Sequence, residues 1–189
     1  MNEFIYNIAV WLDDTAYSAL IHESYYMYNW IEATHVLTLM VSLGMLFLID
    51  LRMLGYAFPD VPASKIADKL NIPMLIGFTV MFITGILLFY AVPVRSSQSV
   101  WFRIKMLLLV ACAVNAYLFH KKMSGSVASW DNDVKAPSRI RVGAWLSLGF
   151  WSIVVICGRF IAYDWLDCAR NQPALIEFIA GCIDGQTRF

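Results

Sequence analysis

Four stretches of this chain, residues 30–50, 73–94, 101–121 and 142–163, are almost unbroken runs of apolar side chains. A bilayer's hydrocarbon core is about 30 Å thick, and roughly 20 residues of helix cross it. Each stretch meets that length. β-Strands do not fit, because the runs are long and lack turn signals at strand spacing. Only 15% of the 189 residues are charged, against about 25% in a soluble domain. The expected fold is all-α: an integral membrane four-helix bundle over 30–163, with interfacial helices in 1–29 and a periplasmic segment in 164–189.

The opening residues MNEFIYNIAVWLDD have no basic stretch and no small-residue cleavage site, so they do not resemble a removable signal. Phe4, Ile5, Ile8, Trp11 and Leu12 share one face of a helix too short to span, which suits the membrane interface. Asp14 or Thr15 can cap a second short helix over 16–22. After the fourth span, Pro173 opens a short helix with one apolar face, expected to fold back on the same surface as the N-terminus.

Lys and Arg set the orientation. The first thirty residues carry none and the connection after the second span carries Arg95 and Arg103, with Lys105 at the next span's start, whereas the connections after the first and third spans carry Arg52, Lys65, Lys69, Lys121, Lys122, Lys135, Arg139 and Arg141. Both termini are therefore expected outside, in the periplasm if the membrane is a bacterial inner membrane. Residues 58–73 contain two prolines and a short amphipathic turn, expected as a surface helix ahead of the second span. Residues 121–139 are polar, Gly- and Ser-rich, and expected to be mobile. Neither segment holds a phosphate-cradling glycine loop or a nucleic-acid motif.

Of four cysteines, Cys112 and Cys157 fall inside spans and serve as small apolar residues. Cys168 and Cys182 lie beyond the fourth span on the expected outer side, where a disulfide can persist. No CxxC pair points to a thiolate metal site.

An ionisable side chain in a span needs a reason. Glu32, His35, Thr38 and Ser42 share one face of the first helix. Glu32 and His35, with Lys105 and Arg159, come to one depth in the outer third. That polar stripe is expected to face the bundle. Each residue also has a plainer reading: Glu32 reaches headgroups, and Lys105 and Arg159 snorkel. His120 lies about 28 Å along the third helix from Trp101. Ala113 and Ala116 precede it on the same face, leaving either a flat slot for a porphyrin or a surface for close helix packing. His35 and His120 differ in depth by roughly 20 Å, too far to share one iron. His22 reaches the outer site if the chain bends near Asn29, and is otherwise a surface residue. Gly77, Thr84, Gly85, Gly143 and Gly149 offer close-approach surfaces for a homo-oligomer.

The runs WIEATHVLTLMVSLGMLFLIDLRMLG, GFTVMFITGILLF, FRIKMLLLVACAVNAYLFH and LSLGFWSIVVICGRFIAY together resemble a family of uncharacterised bacterial four-helix membrane proteins. The likeness runs from about residue 18 to 164. It rests on the first-helix His, the DLRMLG run, the Lys entering the third helix, the Asn and His near its end, and the late GR. At the level of fold the chain also resembles small membrane b-type cytochromes, but it has too few histidines for two bis-His haems.

These residues lead first to a haem-binding membrane protein handling electrons or small oxidants, with haem b, one or two per chain. His35 and His120 would be axial ligands, and Arg159, Lys105 and Arg103 would meet propionates, with Glu32 tuning the outer site. Such a protein could be a membrane oxidoreductase with a redox partner. A second reading is copper held outside by His22 and His35, with Glu32 or a Met. A third is a metal-free scaffold or transporter, although no inverted repeat is visible.

Overall fold

The computed structural model describes residues 2–24, 26–126, 129–169 and 171–182. Eight helices are present among them: α1 (Asn2–Asp13), α2 (Ala16–Glu23), α3 (Met27–Leu54), α4 (Ala63–Ala91), α5 (Pro93–Ser97), α6 (Val100–Ser126), α7 (Ser138–Ala162) and α8 (Ala174–Ala180). Among the described residues, pairing between extended segments is limited to an isolated bridge, Ser99 with Asp167. Helices α3, α4, α6 and α7 are each long and apolar enough to cross a membrane, so the chain fits a multi-pass membrane protein. Many of their large apolar side chains lie on the surface, among them Leu37, Met40, Leu75, Phe82, Leu107 and Val110. In a soluble protein that surface would drive aggregation; in a bilayer it is the lipid-facing side.

The chain separates into two compact units, each assembled from distant segments. The first comprises Met1–His35, Phe82–Leu107 and Val154–Phe189. Here α1 packs against α5, burying Ala9 while Phe4 and Trp11 stay exposed. Thr15 caps α2 by accepting from the Ser18 N–H, and its hydroxyl also meets Tyr90 Oη at 2.7 Å. The short α5 and the residues after it are buried rather than looped out: Pro93, Val94 and Ser96 through Val100 are nearly inaccessible. Arg95 forms an ion pair with Asp164. Arg103 donates to the Ser97 and Ile179 carbonyls at 3.2 and 2.7 Å and to Asn2 Oδ1 at 3.3 Å. Cys168 and Cys182 form a disulfide, with Cα atoms 5.5 Å apart.

The second unit comprises Val36–Met81 and Leu108–Ile153. Its core holds Ile49, Met53, Leu54, Ala63, Trp130, Ala136, Ile140 and Ala144, with Ile66, Leu70 and Met74 packed against it. Those last three explain why α4 starts at Ala63 and not near Pro73, as the sequence suggested. Their spacing of four keeps one face on the core, so the helix runs through Pro73 despite the donor that proline removes. The expected surface helix is the first part of a spanning one.

The segment expected to be mobile is docked where it is described. Trp130 is 4% exposed. Asp131 caps α4: its Oδ1 accepts from the Ser64 N–H at 2.7 Å, its Oδ2 from the Ser64 hydroxyl at 2.6 Å, and its carbonyl from the Ala63 N–H at 3.1 Å. The Ala136 N–H donates to the Met53 carbonyl. Residues 127 and 128 lie outside the described residues. Arg52 departs further from its expected place as a solvent-facing charge. It is fully buried, donating to the carbonyls of Val61 (2.7 Å), Asp133 (3.0 Å), Asp131 (3.4 Å) and Val134 (3.4 Å). Five guanidinium N–H groups in a rigid fork suit this arrangement, because several carbonyls surround one side chain.

Candidate functional site

His35 is the residue on which the sequence argument turned. It lies on α3 and is half-buried. Its Nδ1 is 3.1 Å from the Thr84 hydroxyl on α4, and Gly85 lies beside the ring. A Cβ at Gly85 would come within 3.2 Å of His35 Cε1, so a larger residue there would push the imidazole aside. The Thr84 hydroxyl and the close approach of Gly85 both constrain how the ring can turn.

The polar stripe of α3 is not uniform. Glu32 is exposed, as is the neighbouring Trp30, while Ser42 is fully buried. Ser42 fills the space that a side chain at Gly77 would occupy. The expectation that the stripe as a whole faces the bundle therefore holds for Ser42 and fails for Glu32. A helix turns 100° per residue, so a three-residue step drifts off the face that a four-residue step restores.

The three cations proposed for propionates have different surroundings. Lys105 is half-buried, with Nζ 3.9 Å from the space beside Gly158. Arg159 is exposed, lies over the Tyr163 ring at 4.9 Å and donates to its hydroxyl. Arg103 is committed to the N- and C-terminal segments, and its guanidinium fills the space over Gly181.

His22 is exposed and lines an open pocket of about 240 Å³ with Ser24, Tyr28, Asn29, Val92 and Arg95. The break before α3 falls after Glu23, several residues ahead of Asn29. Among the described residues no three His, Cys, Asp or Glu side chains converge.

His120 is also exposed, as are Ala113 and Ala116. The side of α6 turned into the second unit carries Asn115 and Phe119 instead. Asn115 Nδ2 donates to the Gly143 carbonyl at 3.0 Å, and Phe119 lies 3.3 Å from the space beside Gly143. The flat slot beside His120 thus opens on the outward face of its helix. Of the glycines proposed for oligomer contacts, Gly77, Gly85 and Gly143 are used within the chain, while Gly149 has open space beside it.

The sequence reading missed Asp50 as a buried group. It is 3% exposed, is hydrogen-bonded to Ser147, and its Oδ2 has no partner. A first span over residues 30–50 places the Asp50 carboxylate and Arg52 at the boundary. The missed signal was Gly55, whose φ of 79° marks the left-handed residue after a helix end. A helix running to Leu54 puts both charges inside it.

No curated protein and no solved structure matches this chain. The model of DUF6644, a family of unknown function, matches residues 9–164, and the chain belongs to that family.

Proposed function

We propose that this chain is a haem-binding multi-pass membrane protein that carries electrons, with His35 as an axial ligand. The observation that carries this reading is the contact between His35 Nδ1 and Thr84. A ligand histidine characteristically gives one ring N–H to a neighbouring acceptor, which fixes the tautomer and turns the lone pair of the other nitrogen to the metal. In this reading Nδ1–H donates to Thr84 and Nε2 is the ligating atom. Gly85 gives the ring its room, and Lys105 and Arg159 are the cations left to meet propionates. A haem held by one histidine supplies one-electron chemistry and an open position for a small ligand.

In this reading the membrane is a bacterial inner membrane with both termini in the periplasm. Arg52, being buried, no longer counts towards orientation, but seven cations remain at that end of the spans, against none in the first thirty residues and Arg95 and Arg103 after the second span. The disulfide also suits an oxidising compartment. A second haem on His120 would sit on the outward face of α6, where a further copy of the chain would have to enclose it.

The test is the absorption spectrum of the purified protein. Wild type should show a haem Soret band, His35→Ala should lose it, and Thr84→Val should weaken haem retention about 10- to 100-fold. A wild-type protein that stays colourless after expression with excess haem overturns the proposal.

A further inference from the structure

The second unit contains an open pocket of about 340 Å³ unrelated to any of the histidines. Its lining combines Lys135, Ser138 and Arg141 with Tyr56, Val142 and Trp145. No carboxylate lines it, and neither cation has an ion-pair partner among the described residues. Two positive charges left uncompensated around one concavity attract an anion.

The pocket is built by backbone geometry. Gly55 ends α3 with a positive φ, and a Cβ there would fall 2.7 Å from both Lys135 Cγ and the Val134 carbonyl. The absence of a side chain lets the stem of Lys135 lie across the chain at that point. Arg52, which donates to the Val134 carbonyl, holds the same strand of backbone from beneath. Arg141 follows one turn into α7. Tyr56 and Trp145, in the same lining, meet edge to face, with centroids 6.4 Å apart.

The pocket also continues into an apolar surface. Val142, Trp145 and Leu146 are 58%, 57% and 43% exposed along a spanning helix. A free inorganic anion has no use for that surface, whereas a lipid has. Its phosphate would meet the cations, its glycerol region the amphipathic rings, and its chains the exposed face of α7. Aromatic rings of this kind settle at headgroup level, and basic pockets between spanning helices bind anionic headgroups.

We propose that this pocket binds the headgroup of an anionic phospholipid, with Lys135 and Arg141 on the phosphate and Tyr56 and Trp145 against the glycerol region. The inference is independent of the haem reading, since none of these residues is a haem candidate.

The experiment titrates delipidated, detergent-solubilised full-length protein with phosphatidylglycerol, with phosphatidylcholine and inorganic phosphate as comparison arms, following bound lipid by native mass spectrometry. Phosphatidylglycerol should bind at one site. Lys135→Gln and Arg141→Gln should each weaken it about five-fold, and the pair about 25-fold. Arg141→Lys should recover most of the loss, and Lys121→Gln with Lys122→Gln, outside the pocket, should change little. Lys135 is exposed, so Lys135→Gln alone decides the matter if the double variant does not fold. Equal binding of phosphatidylcholine, equal loss in the Lys121/Lys122 variant, or displacement of the lipid by an equal concentration of inorganic phosphate would overturn the assignment.

Discussion

Arg52 in the second unit and Arg103 in the first both hold separate segments by donating to main-chain carbonyls, yet they do so in different surroundings. Arg52 is fully buried, and its four acceptors belong to two connections, one before α4 and one before α7. Arg103 is half-buried, and its acceptors lie in α1, α5 and α8. Around Arg103 the same segments are tied again by the disulfide, by the Arg95–Asp164 pair and by the α1–α5 packing. Around Arg52 the connection before α7 is also held by hydrogen bonds, from Ser64 and Ala63 to Asp131 and from Ala136 to Met53. One unit closes its loops with hydrogen bonds centred on a buried guanidinium, while the other adds a covalent bond and an ion pair.

That contrast predicts its own largest effect. Replacing Arg52 with Leu removes the donors from four partly buried hydrogen bonds, a loss of about 3–5 kcal/mol. Arg52→Lys should recover little, because one ammonium cannot span the arc that the guanidinium fork covers. Thermal unfolding in detergent measures both. Arg103→Gln should cost clearly less in the same assay. An equal loss at the two arginines would break the comparison.

Next in size is the disulfide. Cys168 and Cys182 are 14 positions apart, and closing a loop of about fifteen residues contributes roughly 3 kcal/mol. The double Cys→Ser variant should lose most of that, and a reductant should destabilise the wild type but not the variant. Mass spectrometry of the unreduced protein checks the bond itself: two alkylatable thiols at these positions would remove it from the list of crosslinks.

The four spans and the helical class were legible because apolar length alone dictates them. The details that matter most were not, and Arg52 shows why. At the end of an apolar run, a cation usually marks the water boundary, and nothing in the run names its acceptors. Three of its four acceptors are main-chain carbonyls some eighty positions away, and carbonyls have no residue type to recognise. Asp131 was hidden differently. In a polar, Gly- and Ser-rich stretch an aspartate resembles loop composition, although it caps a helix that begins far away in the chain. At the candidate site the sequence singled out His35, and it noted Thr84 and Gly85 only as a close-approach surface. That a histidine, not a second copy, occupies that surface depends on the rotation of α3 against α4, which no local pattern encodes.

Asp131 gives the third effect. Its carboxylate caps α4 through Ser64, and Asp131→Ala should cost about 1–2 kcal/mol. The Ser64 side-chain and backbone hydrogen bonds hold its pKa below the ordinary carboxylate range. A group with a depressed folded pKa stabilises above its unfolded value, near 3.9, and loses that contribution as pH falls through the folded value. The wild type should therefore lose stability on acidification in a way that Asp131→Ala does not.

The smallest effect should have the opposite sign. Asp167, in the first unit, is 2% exposed and pairs with Ser99 through the isolated bridge. Its Oδ1 accepts from the Ala169 N–H at 3.1 Å. Burial pushes its pKa up, and nearby Asp164 adds to the rise, while the Ala169 hydrogen bond and Arg95 only partly oppose it. The folded state then holds its proton more tightly than the unfolded chain does. Stability must fall as pH rises from the ordinary aspartate range through the raised value, and protonation restores it. Asn keeps an acceptor for Ala169 and carries no charge, so Asp167→Asn should match or slightly exceed the wild type at neutral pH. Below the ordinary aspartate pKa the two should converge. Unfolding midpoints for both aspartate variants, measured across the acid range, give two slopes to compare. If Asp167→Asn is as damaging at neutral pH as Asp131→Ala, the buried carboxylate is satisfied by its surroundings, and the two units hold their loop aspartates in the same way.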